Sequence, residues 1–467
     1  MMEKFDIIVI GASTTGAWFA RQMAKRGHSV LVIEKNEKEN VSREYDIFHM
    51  PGKEMERSGL EIPSADEKDF GFTFDGGPML SPYGNYPKKN VPAGIIGLHK
   101  HDYIMRMNKY AEDEGAKIIF GASFVDFVKD EWGKVCGAKY KTAEGEFEAE
   151  AKLVADCSGI PAVARTKMPD DSTVENYKLT PEDIFYVVIY YVTYDSPDVD
   201  PMALHASFLN YKAVWSAPSG NPRGAILGIG GNYSYAYAEE IFKQWQKNVP
   251  WPRYTVEKVE RGMTPYRRSV YSFVDNGFIA MGDAGCMTKP TCGEGCTSSL
   301  VQGQIAVDVI DELLKAGKPL SRDNMWPINK KYMEAQGIAF DSMRPLLKGV
   351  VSMSFDEAEY LFKKDIIFST KILGGGGEDL ELTPADIAQL VAGIGGAVIK
   401  GKLKPATVKK IVTGLLQSME VTNLYKEYPE TAEGYWKWKE KADALWEKIG
   451  PMTDICDQEV VKRLGIK

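Results

Sequence analysis

Cysteine is scarce in this chain: six among 467 residues, too few to staple a fold of this size with disulfides. No run of about 18 or more apolar residues occurs, so no membrane-crossing helix is expected. The N-terminus passes from Met1-Met2-Glu3-Lys4-Phe5 straight into Asp6-Ile7-Ile8-Val9-Ile10. It has neither a separate charged and apolar leader nor a small-residue cleavage site, so no signal peptide is expected. Dense basic blocks are missing as well. With 57 Lys and Arg against 65 Asp and Glu, and a net charge of −8, a nucleic-acid groove is not expected. No internal repeat is visible. What remains is a globular composition, 44% hydrophobic and 26% charged, long enough for two or three domains. The expected setting is the cytoplasm.

The first 35 residues carry the strongest pattern. Residues 5–10 form a nearly continuous apolar run, as in a parallel strand buried on both faces. Next come Gly11-Ala12-Ser13-Thr14-Thr15-Gly16 and a helix with small residues at Ala17, Ala20 and Ala24, stopped by Gly27. A second strand, 29–33, then leads into Glu34 and Lys35. Gly11 permits the tight turn, the small Ser13 lets backbone N–H groups approach a pyrophosphate, and Gly16 lets the helix pack on the strand. Glu34 stands where a carboxylate accepts ribose hydroxyls. The order of elements is that of a dinucleotide site.

A second block lies far downstream. Residues 277–303 read as a buried strand ending in Gly282-Asp283, a turn with Pro290, and Gly293-Glu294-Gly295 opening another helix. Asp283 can take a ribityl hydroxyl, and the helix N-terminus near Gly295 can face the electron-rich edge of a flavin.

These blocks resemble the geranylgeranyl reductase branch of the FAD-dependent oxidoreductases that share the p-hydroxybenzoate hydroxylase-like fold. Residues 282–296 look like the family pattern G-D-A-A-x-x-x-x-P-x-x-G-E-G-I, with Cys296 where Ile is usual. Val154-Ala155-Asp156-Cys157-Ser158-Gly159 is similar to the family's D-A-[ST]-G strand end. Tyr211 to Pro218, containing Trp215, followed by Ala225 to Gly230, looks like its Y-x-W-x-F-P…G-x-G substrate motif, with one extra residue before Trp215. The resemblance covers roughly residues 5–345.

It implies an α/β fold: a glutathione-reductase-type FAD domain (1–70, 95–170, 262–340), an inserted antiparallel β substrate domain (71–94, 171–261) and a helical C-terminal region (341–467). It implies FAD held by Gly11, Ala12, Ser13, Thr15, Gly16, Glu34, Lys35, Val125, Cys157, Gly159, Gly282, Asp283, Pro290, Gly293 and Gly295. Tyr211 and Trp215 are the implied substrate contacts. The family carries an Arg near the FAD phosphates where this chain reads His99-Lys100-His101-Asp102, so Lys100 would substitute, without the Arg fork.

Around these blocks, 101–115 reads as a helix, 184–194 as a strand rich in aromatic and β-branched residues, and 204–216 with 224–230 as its sheet partners. From about 320 the pattern is helical, broken at Gly374-Gly375-Gly376-Gly377 and at Lys404-Pro405. The aromatic, lysine-rich stretch 428–450 has two readings, a lipid-interface helix or an amphipathic cap on the FAD domain, and the cap is preferred. Gly393-x-Gly395-Gly396 lacks a preceding strand and is no second nucleotide site.

Two features bear on chemistry. Cys286, Cys292 and Cys296 cluster in the loop that in this fold passes the flavin; they are redox-active thiols, proton donors, or small packing residues. His49 lies in the loop 43–51, where the family tends to carry a Cys, and could donate a proton or simply cap the loop. The expected activity is FAD-dependent reduction of C=C bonds in an isoprenoid or other hydrophobic alkene, with His49, Cys292 and Cys296 as candidate catalytic groups. Electrons would come from NAD(P)H or a ferredoxin-like redox partner, and peripheral membrane contact is an option. The alternatives are a flavin monooxygenase or halogenase of the same fold, and an electron-transfer flavoprotein dehydrogenase-like carrier. The second lacks support from the tail, which holds only Cys456.

Overall fold

The computed structural model describes residues 2–88, 94–208, 213–366, 384–451 and 458–465. Three sheets carry the fold. The first is built on β1 (Glu3–Ile10), β2 (Val30–Ile33), β8 (Lys117–Ile119), β11 (Gly145–Asp156), β17 (Val274–Asp275) and β18 (Phe278–Ala280), in the order β17-β18-β11-β1-β2-β8. β9 (Ser123–Lys129) and β10 (Val135–Thr142) extend it as an antiparallel meander through β11. The pairs β1–β2, β1–β11, β2–β8 and β11–β18 are parallel. Buried parallel strands need apolar residues on both faces, and Ile7, Ile8, Val9, Leu31 and Val32 are fully buried.

Register decides where the site lies. Ile10 pairs with both Ile33 and Asp156, and Asp156 pairs with Ala280. The turns after β1, β2, β11 and β18 therefore leave the sheet side by side at its carboxyl edge, the place where open α/β sheets bind ligands.

The second sheet runs β16-β12-β15-β14-β13-β5-β6: β16 (Tyr254–Pro265), β12 (Ile184–Tyr194), β15 (Gly224–Asn232), β14 (Ala213–Ala217), β13 (Ala206–Phe208), β5 (Met79–Leu80) and β6 (Pro87–Lys88). β12 covers the predicted 184–194, while β16, its long partner, alternates weakly and is not signalled by its sequence. A small third sheet orders β3 (Ile47–Pro51), β7 (Ile95–His99) and β4 (Phe70–Phe74). The domain boundaries expected at 70/71 and 261/262 thus fall inside β4 and β16.

Helices fill the gaps: α1 (Thr14–Lys25), α2 (Gly52–Arg57), α3 (Lys100–Asp113), α4 (Tyr235–Asn248), α5 (Cys296–Lys315), α6 (Arg322–Tyr332), α7 (Ile338–Val351), α8 (Phe355–Lys363), α9 (Pro384–Ile399), α10 (Pro405–Lys426), α11 (Tyr435–Ile449) and α12 (Gln458–Arg463). The glycine run 374–377 lies outside the described residues.

The aromatic stretch 428–450 resolves as the cap. Tyr428, Tyr435 and Trp438 are buried in the main core with Trp326. Their polar ends are satisfied there: Tyr428 Oη donates to the Tyr271 carbonyl at 2.6 Å, and Tyr435 Oη to the Thr173 carbonyl at 2.7 Å. These rings face protein, not lipid. No described helix is long and apolar enough to cross a membrane.

Candidate active site

The glycine turn is shaped as the sequence predicts, for reasons of space. Gly11 sits at φ +101°, and a Cβ there would approach the Cys157 carbonyl oxygen to 2.6 Å; one on Gly16 would run into the Gly11 carbonyl. The close approach leaves the first amides of α1, which have no carbonyl behind them, facing outward. Glu34 turns back onto this turn: its Oε2 accepts from the Ala12 N–H and its Oε1 from the Asn36 N–H, both at 2.9 Å. An ionised carboxylate offers about four acceptor positions, so two protein donors leave room for ligand hydroxyls.

The sequence did not point to Asn108. From α3 its Nδ2 donates to the carbonyls of Ala12 and Ile104, both at 2.9 Å, while fully buried. An amide in the middle of an apolar helix face was the available signal. Ser13 Oγ bonds Ser42 Oγ (2.8 Å), and Thr15 Oγ1 bonds Ser299 Oγ on α5 (3.0 Å), tying α1 to both flanks. Lys35 is exposed beside Glu34, Gly159 turns at φ +75°, and Val125 is half-buried on β9.

The second turn sits on the first. A Cβ on Gly282 (φ +62°) would meet Thr15 Oγ1 at 2.9 Å. Asp283 follows, half-buried, with Thr288 Oγ1 donating to its Oδ1 at a long 3.4 Å. Burial pushes its carboxyl up to about 6, with Thr288 and the charge of Lys100 pulling the other way. A carboxylate this poorly satisfied suits the hydroxyls of a ribityl chain. The loop from Lys289 to Glu294, with Pro290 buried, is closed by Lys289 N–H to the Glu294 carbonyl (2.8 Å) and Gly293 N–H to the Lys289 carbonyl (2.9 Å). A Cβ on Gly295 would stand 3.1 Å from Asp283 Oδ1.

The α5 terminus differs from expectation in one respect. The Glu294 carboxylate folds over it and accepts from the Thr297 N–H (2.6 Å) and Ser298 N–H (3.2 Å). Part of the positive helix end is therefore spent on the chain's own cap. The Cys296 thiol, in the first turn, is pushed up to about 12 by burial, then by Glu294, with the Thr14 hydroxyl opposing. It stays protonated at neutral pH. Cys292 is exposed, and the surrounding chain and Glu294 raise its thiol as well. Cys286, buried at φ +58°, faces Tyr177 Oη at 3.7 Å.

The loop between β2 and β3 is clamped from both sides. The Asp46 N–H is shared by the Glu260 carboxylate oxygens (3.1 and 3.2 Å), and the Asp46 carbonyl accepts from the Lys100 N–H (2.8 Å). Lys100 itself is buried and ion-paired with Glu44, its ammonium 5.3 Å from the Tyr45 ring centroid. Its charge also reaches Asp283 and Cys296, and it is balanced by an acid the sequence did not flag.

Across that loop lies an apolar cluster. Ile47, Ile189 and Ile226 are its buried members, with Phe72, Tyr191 and Trp215 packed against them. Two sheets contribute these residues: the small one gives Ile47 and Phe72, and the seven-stranded one gives Ile189, Tyr191, Trp215 and Ile226. Gly228 is required by Trp215, since a Cβ there would run into the indole. Tyr211 lies outside the described residues. His49 stands between Phe72 and Phe74, at 5.7 and 5.3 Å between ring centroids, and Phe74 in turn contacts His205 at 5.8 Å. Burial drives the His49 imidazole down to about 4 despite a hydrogen bond to the Pro218 carbonyl. It is neutral at physiological pH, with its one proton engaged by Pro218 and a buried Nε2 that has no partner. That arrangement makes it an acceptor rather than an acid.

The residues at the carboxyl edge fit FAD: a turn without room for side chains, a carboxylate at the end of β2, and an under-satisfied Asp283 beside a second helix start. No protein-family model matches the sequence. The chain is 23% identical over 451 residues to digeranylgeranylglycerophospholipid reductase of Sulfolobus acidocaldarius, covering 94% of this chain and 97% of that one. It is 24% identical over 374 residues to the protein of the same name from Methanocella arvoryzae, covering 76% and 89%. Among solved structures, a geranylgeranyl bacteriochlorophyll reductase-like protein from Thermoplasma acidophilum superposes with a TM-score of 0.68 at 19% identity, covering 89% and 100%. A flavin-dependent brominase follows with a TM-score of 0.60 at 19% identity, covering 85% and 100%. Similarity along nearly the whole chain, a shared fold and a site cut for FAD agree: the protein is an FAD-dependent oxidoreductase, similar to the geranylgeranyl reductases.

Proposed function

We propose that the protein reduces carbon–carbon double bonds of an isoprenoid chain or another hydrophobic alkene. The observation that carries this reading is the apolar cluster of Ile47, Phe72, Ile189, Tyr191, Trp215 and Ile226, which adjoins the clamped loop between β2 and β3. When bound and reduced, FAD supplies a hydride. The chain supplies the rest. Glu34, the Gly11–Gly16 turn and Asp283 hold the cofactor, and Lys100 offers positive charge toward its phosphates once Glu44 yields. The half-buried Phe72, Tyr191 and Trp215 of the cluster offer aliphatic and aromatic surface to a chain that has no polar handle along its length. Cys296 Sγ keeps its proton at neutral pH and is our choice to deliver it to the second alkene carbon. His49, neutral and tied to Pro218, is not. The electron donor is a diffusing nicotinamide or a ferredoxin-like carrier.

The test is anaerobic. The flavoprotein is photoreduced and mixed with a geranylgeranyl compound, and return of the oxidised flavin band is followed. Rapid return with a product heavier by two hydrogens supports the reading. A flavin that stays reduced until air is admitted refutes it. Cys296→Ala should slow turnover far more than cofactor binding, and equal activity would remove the thiol from the scheme.

A further inference from the structure

We propose that α9, the lysine-bearing turn after it and the outward residues of α10 form a docking surface for an anionic lipid bilayer. The inference stands apart from the alkene reading, since it rests on a different face and needs no catalytic step.

Three observations converge. First, α9 is apolar on both sides. Ile394 and Ala397 pack inward with Leu361 and Phe362 of α8. On the outer side Ala388, Val391, Ala392, Gly395 and Ile399 are exposed, spaced as one helical face. Val391 is 63% and Ile399 88% exposed. A helix apolar all round is ordinarily buried, and this one keeps half its circumference open.

Second, charge gathers at its end. Lys400, Lys402, Lys404, Lys409 and Lys410 are all exposed, and no Asp or Glu occurs from 387 to 419. No side-chain ion pair joins any of the five to a described acid, although the Lys404 N–H donates to Glu357 Oε1 (2.8 Å) and the carboxylates of α8 border Lys402 and Lys404. In a chain of net charge −8, this is a local positive patch, interleaved with apolar residues rather than fused into a basic block. An anionic surface would repel most of the molecule and attract this part, which fixes an orientation.

Third, α10 continues the theme with Val412, Leu416 and Met419, 44%, 55% and 56% exposed. Apolar side chains beside lysines are the composition of a helix lying in the plane of a membrane interface. With 16 residues, α9 measures about 24 Å, too short to cross. The occupant this chemistry recognises is a bilayer with negative headgroups, not the lipid-facing helix 428–450 that the sequence offered.

The test uses the full FAD-loaded protein and co-sedimentation with vesicles of phosphatidylcholine alone or mixed with phosphatidylglycerol. Binding to the mixed vesicles that weakens with salt is expected. Replacing Lys400, Lys402, Lys409 and Lys410 together by Gln should weaken it more than about a hundredfold, at roughly fivefold per lysine. Val391→Ser with Ile399→Ser should also release the protein, with thermal midpoint and flavin spectrum unchanged. A protein that stays in the supernatant overturns the proposal, as does sedimentation that neither variant alters. Concentration-dependent self-association abolished by Ile399→Ser would assign the face to a second copy and overturn it equally.

Discussion

The Asp283 carboxyl is pushed up to about 6 by burial, and among the described residues the hydroxyl that donates to it, from Thr288, does so at 3.4 Å. Two consequences of opposite sign follow. In the cofactor-free protein the folded state holds the Asp283 proton more tightly than the unfolded chain, whose value is near 3.8. Stability is therefore fullest below about 3.8 and declines as pH rises through about 6, by up to about 3 kcal/mol. Asp283→Asn should thus stabilise the cofactor-free protein at neutral pH. Binding FAD runs the other way, because ribityl hydroxyls favour the ionised carboxylate. At pH 5 only about a tenth of the groups are ionised, so the dissociation constant should be about tenfold higher than above pH 7. Asp283→Asn should bind FAD more weakly at neutral pH and show no such slope. Fluorescence quenching of FAD titrated into the stripped protein across pH 5–8 gives the affinity, and calorimetry gives the midpoint. A wild type whose affinity ignores pH, or an Asn variant that keeps the slope, refutes the assignment.

Gly228→Ala should lower stability by about 1–3 kcal/mol, because its Cβ meets the Trp215 indole. Combining it with Trp215→Ala should cost less than the sum, as read from denaturant midpoints. Asn108→Asp sets a carboxylate against the Ala12 and Ile104 carbonyls, leaving buried acceptors unpaired at about 1–3 kcal/mol. It should sharply reduce FAD retention on gel filtration. His49 titrates at about 4 in the fold against 6.5 when free, so stability is fullest above 6.5 and is lost as pH falls through about 4, by up to about 3 kcal/mol. His49→Phe should flatten that acid limb in thermal melts, and an unchanged limb would show that other groups set it.

Much of the FAD half was legible because its signals are local. Gly11, Gly16 and Glu34 lie within one βαβ unit, where turn, helix start and strand end are adjacent in sequence, and the structure keeps their geometry. Asp283 and Gly295 were legible for the same reason, each belonging to a short strand–turn–helix block. The charge balance around them was not. Glu44 neutralises Lys100, Glu294 caps α5, and Glu260 holds the Asp46 amide from 214 residues away; ion pairs and caps form wherever the fold brings a partner, and no spacing announces it.

The apolar cluster shows the same division. The aromatic and β-branched run of β12 fixed a strand and the alternation of its faces, as local sterics and side-chain period must. Which face meets Ile47 and Phe72 depends on two sheets drawn from residues 47 to 228, and only their packing decides that. His49 illustrates the limit: its identity and its loop were visible, but the loss of its proton comes from burial among Phe72 and Phe74. The C-terminal helices close the case. Sequence marked 428–450 as aromatic and amphipathic and read 384–399 only as part of a helical tail, and tertiary contact alone decided that the first turns its rings into the core while the second leaves a face bare. Local geometry is written in neighbouring residues, whereas burial is a property of the whole fold.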